Sequence, residues 1–176
     1  MVQLEALRSV IWVESKGGPL ILLEEDVVPY WRDYLPVSDS SLTYYERACE
    51  VSDYLGSIGV GSRSGLVFGE QPYSTTWLQA SEWDYGIIVR WVYAENEAAV
   101  IQVLTQLSNR NWQRTDVVLE VTNEKLLLFD AAVPGDDIET FIPVQIPKGS
   151  YVAETLHYEA NKDTSLTLHR FVPKPE

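Results

Sequence analysis

From Asp116 to Val172 the chain is a succession of five β-patterned runs with only short connections between them. They are Asp116 to Val121, Lys125 to Phe129, Glu139 to Ile146, Tyr151 to Tyr158 and Ser165 to Val172. Strands adjacent in sequence and joined by short turns, such as Asn123-Glu124, pair antiparallel, so this third predicts meanders and excludes a parallel βαβ architecture. The strongest single strand pattern lies just upstream. Tyr85 to Tyr93 is filled with β-branched and aromatic residues, has Arg90 as its only charge, and reads as a central strand.

The N-terminal half mixes strand and helix signals. Ile11 to Glu14, the turn Gly17-Gly18-Pro19 and Leu20 to Leu23 read as a hairpin entering a buried strand, with Glu24-Glu25-Asp26 as a charged corner. Val27 to Tyr34 reads as a single helical turn or a loop. Thr43-Tyr44-Tyr45-Glu46 has capping-box spacing, and Tyr45, Ala48, Cys49, Ser52 and Leu55 follow at helical steps, so a helix is predicted over 43–55 with Gly56 as its stop. Gly59-Val60-Gly61 and Ser64-Gly65 read as turns leading into Leu66 to Gly69, and Thr75 to Gln79 as a further short strand. Asn96 caps a second helix over 96–107, whose face of Ala99, Val100, Val103, Leu104 and Leu107 should lie across the sheet. The fold class is therefore α+β, predominantly antiparallel sheet with two helices, in one domain spanning 1–176.

Charge narrows the function. Against 13 Lys and Arg stand 26 Asp and Glu, a net −13, and no two basic residues are neighbours, so a basic stripe for direct nucleic-acid binding is missing. One cysteine, Cys49, excludes an intramolecular disulfide and a cysteine-built zinc site, which fits a reducing, cytoplasmic home. The N-terminus lacks the basic-then-apolar pattern of a secretory signal, and no run is long and apolar enough to span a membrane as a helix. No Walker-type, dinucleotide, zinc-protease or serine-hydrolase motif occurs, and neither a cofactor nor a metal is expected.

Candidate chemistry is sparse. If Glu159 faces Thr164 across a turn at Ala160 to Asp163, His157 and His169 point to opposite faces of their hairpin and hold no metal together; a turn one residue longer or shorter reverses this. Cys49 reads as a small core residue on its helix. Trp83-Asp84-Tyr85 has the aromatic and acidic residues of a sugar-cleaving site, but Trp91 and most other tryptophans are more economically core. Three spans, 17–31, 64–89 and 126–147, hold acids and no Lys or Arg. Their carboxylates, above all Glu24, Glu25, Asp26, Asp136, Asp137 and Glu139, can form a negative face that steers and docks a basic protein partner; the alternative is a merely soluble surface.

Ile11-Trp12-Val13-Glu14-Ser15, then Gly17-Gly18-Pro19-Leu20, Trp31 and the Tyr45-Glu46-Arg47-Ala48-Cys49 helix resemble the immunity protein 21 family of bacterial polymorphic toxin systems. That family has a mostly β fold, a GGP motif, unaltered here, and a W-x-G motif, whose nearest counterpart is Trp31-Arg32-Asp33 with Asp in place of Gly. The resemblance implies a non-catalytic immunity protein that binds and neutralises a cognate toxin domain, such as a basic nuclease. Trp12, Gly17, Gly18, Pro19 and Trp31 read as structural: the glycines permit a tight turn and Pro19 fixes φ into the buried strand. A small carbohydrate- or nucleotide-acting enzyme, or a ligand-binding β module using exposed tryptophans, are the alternatives, and the oligomeric state is left open.

Overall fold

The structure, a computed structural model, describes residues 10–32, 42–69, 73–79, 85–107 and 111–175. In chain order its strands are β1 (Leu20–Glu24), β2 (Gly56–Val60), β3 (Arg63–Phe68), β4 (Thr75–Leu78), β5 (Ile87–Tyr93), β6 (Gln113–Val121), β7 (Lys125–Asp130), β8 (Ile142–Gln145), β9 (Gly149–Asn161) and β10 (Thr164–Pro173). They form two five-stranded sheets, ordered β2-β3-β1-β7-β8 and β4-β5-β10-β9-β6, with antiparallel pairing throughout. Among the described residues there are two helices, α1 (Tyr44–Cys49) and α2 (Glu97–Thr105). The α+β, mainly antiparallel expectation holds. Among the described residues no helix is long and apolar enough to cross a membrane.

Side-chain alternation makes the layers. In β1, Leu20 and Leu22 point between the sheets and meet Phe68, Leu128, Ile88 and Phe171. Ile21 and Leu23 point the other way, into a cluster with Trp31, Ala48, Ile58 and Phe129 beneath α1. The second sheet does the same: Ile87, Val89, Leu166 and Leu168 face Val100, Val103 and Leu104 of α2 on its outer side. The result is a sandwich of two sheets with a helix on each outer face. Each buried Leu or Ile contributes about 1.5–3 kcal/mol, which is why a continuous Leu-Ile-Leu-Leu run sits in the middle strand of the first sheet.

The connections depart from the meander. Val13 forms a bridge with Thr75, each N–H donating to the other's carbonyl at 2.9 Å, and so edges the second sheet, whereas β1 belongs to the first. Gly17-Gly18-Pro19 is therefore a crossover between sheets and not a hairpin turn. Gly17 has φ 127°, and a Cβ on Gly18 would stand 2.4 Å from the Tyr45 hydroxyl, so that close approach needs glycine. Ser15 Oγ accepts from Gly17 N–H (3.1 Å) and donates to Gly18 O (2.5 Å), while Asp130 Oδ2 accepts from Lys16 N–H (3.0 Å). Asn123-Glu124 likewise links β6 in one sheet to β7 in the other; β6 pairs with β9 instead. Strands consecutive in sequence that do pair with each other are β2–β3, β4–β5, β7–β8 and β9–β10.

Other differences have local causes. The Thr43–Glu46 capping box forms as expected, but α1 ends at Cys49 because Leu55 is drawn into the inter-sheet core and Gly56 opens β2. Gly59-Val60 and Ser64-Gly65 are strand residues of β2 and β3, not turns; the turn between them is Gly61-Ser62. Ile142–Gln145 is shorter than the predicted run, because residues 139–141, which follow the 3-10 turn at Gly135–Asp137, are irregular. β5 is interior but not central, because β10 takes the middle of the second sheet. The Asn96 cap of α2 is present, its side chain accepting from Ala99 N–H at 2.9 Å.

Glu24 secures the β6-to-β7 crossover. It is 2% exposed, pairs with Arg63, and accepts hydrogen bonds from the Thr122 and Asn123 backbone N–H groups, the latter at 2.9 Å, and from the Thr122 hydroxyl at 3.0 Å. Hydrogen bonds to a buried charge are worth more than neutral ones, and losing them leaves the remaining groups unpaired. Glu24→Gln is expected to lower unfolding free energy by about 2 kcal/mol. Urea denaturation checks it, and an unchanged midpoint would show that the crossover does not rely on this carboxylate.

Candidate partner-binding face

The predicted acidic residues separate into two uses. Glu24 is consumed inside the fold, and Asp130, only 6% exposed, accepts from the N–H groups of Lys16 and Ala132 (both 3.0 Å) at the start of the GGP crossover. Glu25, Asp26, Asp136, Asp137 and Glu139 are exposed. Asp26 lies 3.5 Å from Arg63 Nη2, and its Oδ1 accepts from Asn123 Nδ2 at 3.1 Å. Asp136 lies 3.4 Å from Arg32 Nη2.

Two neighbouring 3-10 turns stand beside this charge, and the second contains Asp136 and Asp137. Val28–Tyr30 follows Asp26, and Gly135–Asp137 packs on it, with Gly135 N–H donating to Trp31 O at 2.7 Å. Beside the first turn is a cavity of about 460 Å³ lined by Asp26, Val27, Tyr30, Val60, Gly61, Ser62 and Arg63. Beside the second is a cleft of about 560 Å³ lined by Trp12, Val13, Glu14, Lys16, Asp130, Val133, Asp137, Glu139 and Thr140. The cleft thus brings Trp12, Asp137 and Glu139 together; Asp26 lies in the other cavity, and Glu24 in neither. Four carboxylates face one ammonium there, a field that attracts cations.

Glu14 and Lys16 are cleft residues that the acidic spans did not mark as a site, whereas Asp130 lies in the acidic span 126–147. The sequence signal for the first two was present, since they flank Ser15 within the motif segment. Trp12 is half-buried, donates from Nε1 to Glu97 Oε2 at 2.7 Å and meets Trp91 edge-on at 5.6 Å, tying the cleft wall to the start of α2. Trp31 is fully buried, with Nε1 donating to Ala131 O at 2.9 Å and its ring stacked 5.6 Å from Tyr44. None of the described tryptophans is exposed, so no row of solvent-facing indoles forms among them. Trp83 and Asp84, like Glu70 and Glu82, lie outside the described residues.

The histidine geometry differs from the parity argument. The hairpin turn is Lys162-Asp163 alone, Asn161 faces Thr164, and Glu159 faces Ser165, so Ala160 is an extra bulged residue. This shifts the register, and His157 and His169 lie on the same face after all. Each ring is nonetheless bound to the threonine opposite it: His157 Nδ1 to Thr167 Oγ1 at 3.2 Å, and His169 Nδ1 to Thr155 Oγ1 at 2.9 Å. His157 is exposed against the Tyr54 ring at 4.5 Å; His169 is fully buried near Phe68. Among the described residues no three His, Cys, Asp or Glu side chains gather to hold a metal ion. Cys49 is exposed, not core, because α1 turns its Ala48 side inward. A hydrogen bond with Cys49, and then burial, push the Tyr45 hydroxyl pKa up.

Burial, then the Arg90 charge, holds His169 well below the ordinary histidine pKa of 6.5. The unfolded chain therefore takes up a proton near pH 6.5 that the folded chain refuses, and stability is complete above that pH and falls as pH drops towards the folded-state value. The expected slope is at most about 1.4 kcal/mol per pH unit. Denaturation midpoints between about pH 5 and 7.5 for the wild type and His169→Gln check it: the substitution should remove this component, and identical pH profiles would refute it.

The family model for immunity protein 21 matches residues 11–164, a span that includes the GGP crossover, both 3-10 turns, the cleft and both helices. No curated protein and no solved structure matches the chain. The chain belongs to the immunity protein 21 family.

Proposed function

We propose that the chain protects the cell that makes it by binding a cognate polymorphic toxin domain one to one, without catalysis. The reading rests on family membership together with one observation, the acidic cleft in which Trp12 of the motif segment meets Asp137 and Glu139. A cleft with this field takes lysine or arginine side chains from a basic toxin surface, such as the substrate groove of a nuclease. Covering that groove stops the toxin without any reaction on the inhibitor. The protein then acts in the cytoplasm, where the toxin must be met, and does not itself bind nucleic acid. A tight inhibitor buries about 1,600 Å² in total, which the cleft and its two flanking turns begin to supply.

Co-expression with the toxin domain encoded by the adjacent gene should restore growth, and the purified pair should form a one-to-one complex of nanomolar affinity. Replacing Asp137 by Asn together with Glu139 by Gln should slow association at low salt by about tenfold and flatten its salt dependence. Stopped-flow association rates at rising ionic strength check this. A complex whose association rate ignores both salt and the substitutions would place the contact elsewhere.

A further inference from the structure

Tyr30 is the most exposed of the large hydrophobic side chains among the described residues, at 66%, and it is exposed in an unusual setting. Its neighbours leave the backbone little freedom. Pro29 stands beside it in the 3-10 turn, Tyr30 N–H donates to Val27 O and Trp31 N–H to Val28 O, both at 2.9 Å. The next residue, Trp31, is fully buried and anchored to Ala131, and its carbonyl accepts from Gly135. The second turn presses so closely that a Cβ on Gly135 would lie 1.9 Å from Val28 O, which only glycine permits. The backbone that carries the ring is braced twice, so docking the ring has only its two side-chain torsions left to order.

The surroundings match an interface centre. Next to the ring is the cavity of about 460 Å³, with Val27 and Val60 in its apolar wall and Asp26 and Arg63 at its polar margin. Asp26 lines it, Asp136 lies on the 3-10 turn packed against that of Tyr30, and the two arginines nearby, Arg32 and Arg63, are already engaged by Asp136, Asp26 and Glu24. An aromatic anchor inside a polar rim is the pattern in which a few residues carry most of the binding energy. A second copy of this chain is a poor occupant, since each copy carries −13.

We infer that Tyr30 is the anchor of the toxin interface, its ring entering a pocket on a basic surface of the toxin while the flanking carboxylates meet lysine or arginine at the pocket's edge. This rests on the immunity reading above and adds a specific residue to it: the cleft steers association, and Tyr30 sets the lifetime of the complex.

The test is the dissociation rate of the complex with the toxin domain encoded by the adjacent gene, measured for wild type, Tyr30→Ala and Tyr30→Phe in the full chain. Tyr30→Ala should speed dissociation by about thirtyfold or more, with association rate and thermal midpoint unchanged, and Tyr30→Phe should stay within about threefold of wild type. A tight wild-type complex that Tyr30→Ala leaves within about twofold overturns the inference and leaves the immunity reading standing. Equal loss in Tyr30→Phe and Tyr30→Ala also overturns it, since ring burial would not be the source. If the wild type itself forms no complex, the immunity reading fails and this inference with it. A wild-type chain that dimerises alone and loses the dimer in Tyr30→Ala overturns it in favour of self-association.

Discussion

Leu20-Ile21-Leu22-Leu23 is buried on both faces, and that double burial organises the molecule. One face of β1 needs the opposing sheet and the other needs the Trp31 cluster beneath α1, so the strand is stable only when both layers are in place. The GGP crossover delivers the chain to it, with Ser15, Asp130 and Tyr45 each holding one point of the crossover. Trp31 then covers the outer face and, through its carbonyl, fixes the second 3-10 turn. Gly18, Trp31 and Gly135 thus help to hold in position the acidic ridge made by Asp136, Asp137 and the neighbouring Glu139.

How far the sequence could be read follows from what each signal physically encodes. Local chemistry was legible: the Thr43–Glu46 capping box, the Asn96 cap, the apolar face of α2 and the approximate position of most strands all depend on neighbours in the chain. Which strand pairs with which was not. Ile11 to Glu14 followed by a glycine turn looks like a hairpin, yet Val13 bonds to Thr75 while Leu20 bonds into the other sheet. In a two-sheet sandwich a short turn can cross between layers as readily as it can reverse within one, and no local residue preference distinguishes the two. The bulge at Ala160 is a second case, since one unpaired residue reverses every facing relation beyond it and puts His157 and His169 on one side.

The same limit governs the candidate site. Composition and spacing located the acids but not their employment. Glu24 and Glu25 are adjacent, yet one is buried under Thr122 and Asn123 while the other faces solvent. The end of β1 decides this: Glu24 is its last residue and lies under the crossover from β6 to β7, while Glu25 begins the turn beyond it. Tyr30 gave no signal at all beside Trp31, because its exposure is set by the 3-10 turn and by the approach of Gly135 from a hundred residues away in sequence. What was legible is the class of surface, acidic with aromatic residues near it, and the family that it belongs to.

Backbone hydrogen exchange of the chain, alone and with the toxin domain encoded by the adjacent gene, tests this account most directly, because it reports where a partner sits without altering any side chain. Binding through the acidic ridge predicts new protection in 25–32 and 133–140, with the α2 face of the second sheet unchanged. Protection confined to α2 and the outer face of that sheet, or none in a complex that forms, would contradict it.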